Sequence, residues 1–264
     1  MLSREKFMNL PASSAVIFPS LLACDFANLL RDIRSVEDAG AEVLHLDIMD
    51  GHFVPNLSMG IPIVESVRKI TDLVLDVHLM LSEPEKYIQS FRKAGADVLT
   101  FHVEAVADQE ISGKNFSRNG CKNEDICDET CAIIEKTSGL LEKIRELGAA
   151  SGLAIIPPTE VEVLAHWTEL CDNILIMSVM PGFGGQSFHK SALSKLQWLT
   201  QNMPEKVRRS VDGGVNENTL DACVNAGATG LVMGTAIFKN PDRKQQMEIF
   251  QKQIRESCSA SDVL

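Results

Sequence analysis

Three segments of the chain, DAGAEVLHLD, KAGADVLTFH and NAGATGLVMG, repeat one design: the end of a helix, a glycine, then a short run rich in Val and Leu. Glycine just past a helix accepts the left-handed conformation cheaply, so each joint reads as a helix stop feeding a strand. Strand-like runs occur eight times: AVIFPSLL, EVLHLDIM, LVLDVHLM, DVLTFHVEA, GLAIIP, NILIMSVMPG, VRRSVDGG and TGLVMGTAIF. Between them lie stretches of helical period. One sets Phe26, Leu29, Leu30, Ile33 and Val36 behind Asp25 as a cap, and a late one carries Met247, Ile249, Phe250 and Ile254. Strand, helix, strand repeated in this way implies parallel pairing through crossovers. Eight such units within 264 residues have the rhythm of an α/β protein of the (β/α)8 TIM-barrel class. A doubly wound open sheet is the competing arrangement, but no GxGxxG follows the first strand. The pattern therefore predicts one barrel domain over residues 1–264.

One stretch breaks the rhythm. Residues 107–131, ADQEISGKNFSRNGCKNEDICDETC, form a polar insertion between the fourth strand and fourth helix. Such connections usually take roughly 2–6 residues. Strand-to-helix loops lie on the active face of a barrel, so the insertion reads either as a lid or as an unstructured surface excursion.

Composition narrows the class of partner. An apolar fraction of 45% and a charged fraction of 23% are ordinary globular values. No apolar run approaches the roughly 18–20 residues of a membrane span, and MLSREKFMNLPASS lacks the apolar core of a secretory signal. A cytoplasmic protein with no membrane association is the expectation. The net charge of −11 argues against nucleic acid. It leaves a phosphorylated substrate open, because backbone N–H groups bind phosphate without any lysine. Seven cysteines form an odd set with no CxxC and read as reduced thiols. Cys121, Cys127 and Cys131 cluster, but their spacing matches none of the usual zinc patterns.

The chemistry sits at strand ends. In LHLDIMDGHFVPN, His45 and Asp47 fall two residues apart, and alternation along a strand turns both to one side. LDVHLM brings His78 to a comparable position, and SVDGG places Asp212 at the tip of the seventh strand. In a closed barrel these four converge near the mouth. Two imidazoles with two carboxylates suit a borderline divalent ion, zinc, iron(II), manganese or cobalt. His102 in FHVEA is a rival ligand or a supporting group behind the ligands. His52, His166 and His189 lie in turn or helix contexts and carry no assigned role. PGFGGQS after the sixth strand, DGG after the seventh and Met233-Gly234-Thr235 at the eighth offer backbone N–H groups to a phosphate. Met49, Met80 and Met177 fall near the same strand ends, where they fill space or roof an ion.

Taken together, PSLLACDFANL, LHLDIMDGHFVPN, LDVHLM, FHVEA, MSVMPGFGGQSF, VDGGVN and AGATGLVMGTAIF resemble the ribulose-phosphate 3-epimerase family in order and over nearly the whole chain. The resemblance implies interconversion of D-ribulose 5-phosphate and D-xylulose 5-phosphate by inversion at carbon 3 through an enediolate. It implies one divalent metal held by His45, Asp47, His78 and Asp212, with Asp47 and Asp212 as acid and base on opposite faces. It further implies substrate contacts from Ser20, His78, the loop Gly182, Phe183, Gly184, Gly185 and Gln186, and from Asp212, Gly213, Gly214, Gly234 and Thr235. A small homo-oligomer is implied as well.

Thr235 stands where many relatives have serine, which keeps the hydroxyl. The 107–131 insertion, Ala23-Cys24 and IIPPTE depart from the usual pattern. Three other readings compete. Another phosphoketose 3-epimerase, such as one acting on allulose 6-phosphate, needs the same groups. A metal-free decarboxylase barrel carries an Asp-x-Lys-x-x-Asp element that this chain lacks. A non-catalytic phosphate-binding barrel is favoured by loss of a ligand, and none is lost.

Overall fold

The computed structural model describes residues 3–11, 14–107 and 124–261. Eight strands form one parallel sheet: β1 (Val16–Pro19), β2 (Val43–Met49), β3 (Val74–Met80), β4 (Val98–His102), β5 (Ala150–Ile155), β6 (Asn173–Met177), β7 (Arg208–Asp212) and β8 (Gly230–Met233). Their order in the sheet is β1-β8-β7-β6-β5-β4-β3-β2, so β1 and β2 are its two ends. A single parallel bridge between Ser20 and His45 joins those ends and draws the sheet into a nearly closed barrel. The helices are α1 (Ser3–Met8), α2 (Leu29–Glu37), α3 (Ile61–Arg68), α4 (Ile88–Ala94), α5 (Val103–Val106), α6 (Glu124–Glu146), α7 (Ser191–Asn202), α8 (Leu220–Asn225), α9 (Thr235–Phe238) and α10 (Arg243–Ser261). After β5 the crossover is a 3₁₀ segment, Val161–Trp167, rather than an α-helix.

The burial pattern explains why the strand runs are apolar throughout. Every residue of β2, β3 and β4 is buried, because one face meets the helices and the other meets the barrel interior. The outer layer packs residues such as Ile33, Val64, Phe91, Leu141, Trp167 and Leu199 against outward strand residues. The interior is a separate cluster of Phe18, Val43, Val74, Val98, Leu175 and Val232. Its lower end is stoppered by α1: Phe7 packs edge-on against Phe18 at 6.4 Å, and the Arg208 guanidinium lies over the Phe7 ring. All three helix-stop glycines, Gly40, Gly95 and Gly227, have left-handed φ, as their position after a helix requires.

Two local expectations are corrected. Asp25 does act as a cap, accepting from the Ala27 N–H, but of a short 3₁₀ turn, Phe26–Asn28. Phe26 and Leu30 are about half exposed and do not belong to the core stripe, which Ile33 and Val36 supply. The polar insertion is shorter as a break than its composition suggests, since α6 already begins at Glu124. Residues 108–123, with Cys121 among them, lie outside the described residues.

Candidate active site and metal centre

Register places the key side chains. In the β2–β3 ladder His45 stands opposite Asp76, and Asp47 stands opposite His78. The two strands therefore carry a checkerboard of imidazole and carboxylate on their inward face. His45, Asp76 and His78 are fully buried, and Asp47 is 3% exposed. Asp212 closes the group from the end of β7. One donor atom from each of His45, Asp47, His78 and Asp212 can be chosen so that all lie within 4.8 Å of one another.

Each ring nitrogen has a definite neighbour. His45 Nδ1 meets Asp76 Oδ2 at 2.8 Å, which turns Nε2 toward Asp47 Oδ1, 3.1 Å away. His78 Nδ1 lies 3.1 Å from the same Asp47 oxygen. The other oxygen of Asp47 accepts from the Ser20 hydroxyl at 2.6 Å, while that hydroxyl accepts from the Leu22 N–H. Ser20 thus ties the first strand-to-helix turn to the centre, at the point where the barrel seam closes.

Electrostatics separates the two aspartates. Burial opposes the charge of Asp47, but His45 and His78 outweigh it and hold its pKa well below the carboxylate range. Burial, with the charge of Asp47 added, pushes Asp212 up to about 7. Burial lowers His78 against the pull of Asp47. His45 is also disfavoured by burial, yet Asp47 and Asp76 raise it well above its usual value. The protein environment thus demands positive charge between these carboxylates. Two nitrogen and two oxygen donors, gathered on rigid strand ends with a carboxylate behind one imidazole, fit a borderline divalent cation. These are the four residues that the strand-end motifs singled out.

Above the centre opens a cleft of about 540 Å³. Ser20, Asp47, Asp212, Gly213, Gly214, Gly234 and Thr235 line it, with the whole Gly182–Gln186 loop. His45 and His78 lie beneath this surface. Met49, Met80 and Met177 also line the cleft and are almost fully buried, which gives its floor an apolar border. The loops hold one another. Asn56 Nδ2 donates to Gly182 O at 2.6 Å, joining the β2 and β6 loops. Gln186 folds back, its Nε2 donating to Met180 O and Phe183 O, both at 2.8 Å. Gly214, at φ +65, lets the β7 loop lie against the β6 loop: a Cβ there would sit 2.5 Å from Phe188 N.

Sequence reasoning missed Asp76, Glu104 and Lys239. Asp76 had a signal, since it precedes His78 by two residues and so shares its inward face. Glu104 buries its carboxylate against His102, and Lys239 reaches the cleft wall from beyond the strand-end motifs. His102 does not join the four ligands; its Nε2 meets His78 Nε2 from behind at 2.8 Å. His52, His166 and His189 stand apart, in a turn, beside Trp167 and against Ser191.

The sequence profile described as the ribulose-phosphate 3 epimerase family matches residues 16–125 and 125–238. The chain belongs to the ribulose-phosphate 3-epimerase family. It is 41% identical over 233 residues to the ribulose-phosphate 3-epimerase of Bacillus subtilis (strain 168), covering 87% of this chain and 94% of that protein. To the cytoplasmic isoform of Oryza sativa subsp. japonica it is 34% identical, covering 95% and 99% of the two chains. Among solved structures, this epimerase-family barrel superposes on KGPDC from Streptococcus mutans with a TM-score of 0.62 at 14% identity, covering 92% and 98%. A tryptophan synthase α-subunit from Pyrococcus furiosus gives 0.58 at 14%, covering 94% and 98%. Those two likenesses bear on the fold alone. Among the described residues, no helix is long and apolar enough to cross a membrane.

Proposed function

We propose that the chain catalyses metal-dependent epimerisation at carbon 3 of a phosphorylated ketose, interconverting D-ribulose 5-phosphate and D-xylulose 5-phosphate. The observation that carries this reading is the meeting of His45, Asp47, His78 and Asp212 under a cleft floored by two carboxylates of opposed proton affinity. Family membership and relatives named for this activity support it.

Inverting a carbon beside a carbonyl requires loss of a proton from one face and its return on the other. Asp47 and Asp212 are suited to take and give that proton in turn, and in the metal-free protein their proton affinities already stand apart, Asp47 low and Asp212 pushed up to about 7. In the reverse direction the roles exchange. A divalent ion held by the two imidazoles and two aspartates would supply Lewis-acid stabilisation of the enediolate oxygens. Ser20 holds the Asp47 carboxylate in place through its hydroxyl. The buried methionines give the cleft floor an apolar border suited to keeping water from carbon 3. Backbone N–H groups at Gly214, Gly234 and Thr235 are suited to the phosphate, while the Gly213 N–H is directed at the Asp212 carboxylate, and Lys239 stands at the same wall. The protein is read as one domain acting as a small cytoplasmic homo-oligomer, which light scattering of the purified protein tests.

The assay is turnover in heavy water with carbon 3 followed by NMR. Deuterium is expected at carbon 3 with the wild type, and both Asp47→Asn and Asp212→Asn are expected to lose at least about 10²-fold in rate. Normal interconversion of the two epimers by either variant contradicts the two-carboxylate mechanism. Faster turnover of allulose 6-phosphate than of the pentose phosphate would replace the substrate.

A further inference from the structure

Behind the centre runs a buried chain of hydrogen bonds that the mechanism does not use. His78 Nε2 faces His102 Nε2 at 2.8 Å, and His102 Nδ1 faces Glu104 Oε2 at 3.3 Å. The remaining oxygen of Glu104 accepts from the Ile156 N–H at 3.0 Å and from the Thr159 hydroxyl. Both rings are fully buried, Glu104 is 8% exposed, and Phe53 lies tilted over His102 with ring centres 4.9 Å apart.

Two nitrogens in contact share one hydrogen, so the chain has a direction. An ionised carboxylate only accepts, which puts a hydrogen on His102 Nδ1. A neutral His102 then offers Nε2 as acceptor, and His78 Nε2 must donate to it. At the other end Asp47 Oδ1, 3.1 Å from His78 Nδ1, accepts in the same way while the site is empty, so this direction belongs to the state in which an ion has replaced the hydrogen on Nδ1. The opposite direction would put an N–H on His78 Nδ1 and bar it from ligation.

We propose that Glu104, acting through His102, is a positioning residue that fixes His78 in the Nε2–H tautomer and so keeps Nδ1 available to the metal. The inference rests on the metal-centre reading above. It also explains the unusual IIPPTE loop after β5, whose Ile156 and Thr159 hold Glu104. Lys195 pins that loop in turn, donating to the carbonyls of Ile156, Pro157 and Thr159 at 3.0, 2.7 and 2.6 Å. His45 gets the same service directly from Asp76. His78 gets it through one intervening ring.

Glu104→Gln tests the direction. Ile156 N–H and Thr159 still need an acceptor, so the amide oxygen takes their side and the amide NH₂ faces His102 Nδ1. The whole chain then reverses. Titration of metal-free protein with Co²⁺ or Zn²⁺ should show a dissociation constant at least about tenfold weaker for Glu104→Gln than for wild type. His102→Gln, whose amide oxygen can accept from His78 Nε2–H, should stay nearer the wild-type value. Nitrogen-15 NMR of histidine-labelled, Zn²⁺-loaded wild type reads the direction without any variant: His78 should be protonated at Nε2, and His102 protonated at Nδ1 and bare at Nε2. A His102 bare at Nδ1 in the loaded protein, or normal metal affinity in a folded Glu104→Gln, overturns the proposal alone. A wild type that takes up neither ion overturns the metal centre and this inference with it.

Discussion

Asp47 and Asp212 are the same residue type at neighbouring heights in the barrel, and the protein drives their proton affinities apart. Asp47 lies between two imidazoles; Asp212 is buried beside the charge of Asp47. This separation has a consequence for stability. The Asp212 pKa rises from the ordinary 3.8 to about 7 on folding, so between those values the metal-free folded state binds more protons than the unfolded chain. Its contribution is therefore present at low pH and lost as pH rises through that window. His45, raised well above 6.5, adds a loss of the same sign at higher pH. In denaturant unfolding of metal-free protein from pH 4 to 7, wild type should lose stability relative to Asp212→Asn, while His78 and His102, lowered by burial, act in the opposite sense in both proteins. Added divalent ion should stabilise more as pH rises, because it no longer competes with these protons. Asp76→Asn should weaken metal binding by about 10–100-fold in the same titration that tests Glu104. The pleat alone made His45, Asp47, His78 and Asp212 legible, since alternation decides which side chains face inward. The role of Asp76 was not legible, because it depends on which residue of β3 stands opposite His45, and pairing register is absent from a single strand.

Among the elements, the loops after β6 and β7 act as one unit. Ser178 joins them, its N–H donating to Asp212 O at 2.7 Å and its hydroxyl to Gly213 O. A side chain at position 214 would meet backbone, Phe188 N at 2.5 Å and Gln186 O at 2.9 Å, in a left-handed conformation. Gly214→Ala should therefore separate the loops, raise KM for the phosphorylated substrate about tenfold or more, and destabilise by roughly 1–3 kcal/mol. Gly139, in α6 and not among the cleft-lining residues, provides the contrast: its added Cβ meets nothing within 4 Å, and Gly139→Ala should leave KM within about twofold. Steady-state kinetics with calorimetry separates the two cases. The strands and the glycine stops were readable because burial on both faces leaves a continuous apolar run, and a helix end needs a residue tolerant of positive φ. Phe26 and Leu30 misled because apolar residues at helical spacing need not face the barrel. The 3₁₀ crossover Val161–Trp167 has no periodic signature strong enough to set it apart from a helix.

For the whole molecule, the barrel is held at both ends by different means. Its mouth is joined by the Ser20–His45 bridge, so the barrel seam closes on two residues of the His/Asp cluster's hydrogen-bond network. The bottom is closed by α1, which the sequence did not announce as a plug: six residues with one deeply buried phenylalanine. Phe7→Ala should remove about 3–5 kcal/mol of stability, seen as a lower denaturation midpoint, with kcat at low temperature and metal stoichiometry unchanged. The central claim is that one ion held by four distant side chains enables proton exchange at a single carbon. Its most direct test is the rate of deuterium entry at carbon 3 while metal-free protein is titrated with a divalent ion. The rate should start near zero, rise linearly and break at one equivalent per chain; full exchange before any ion is added, or no break at one equivalent, would contradict the account.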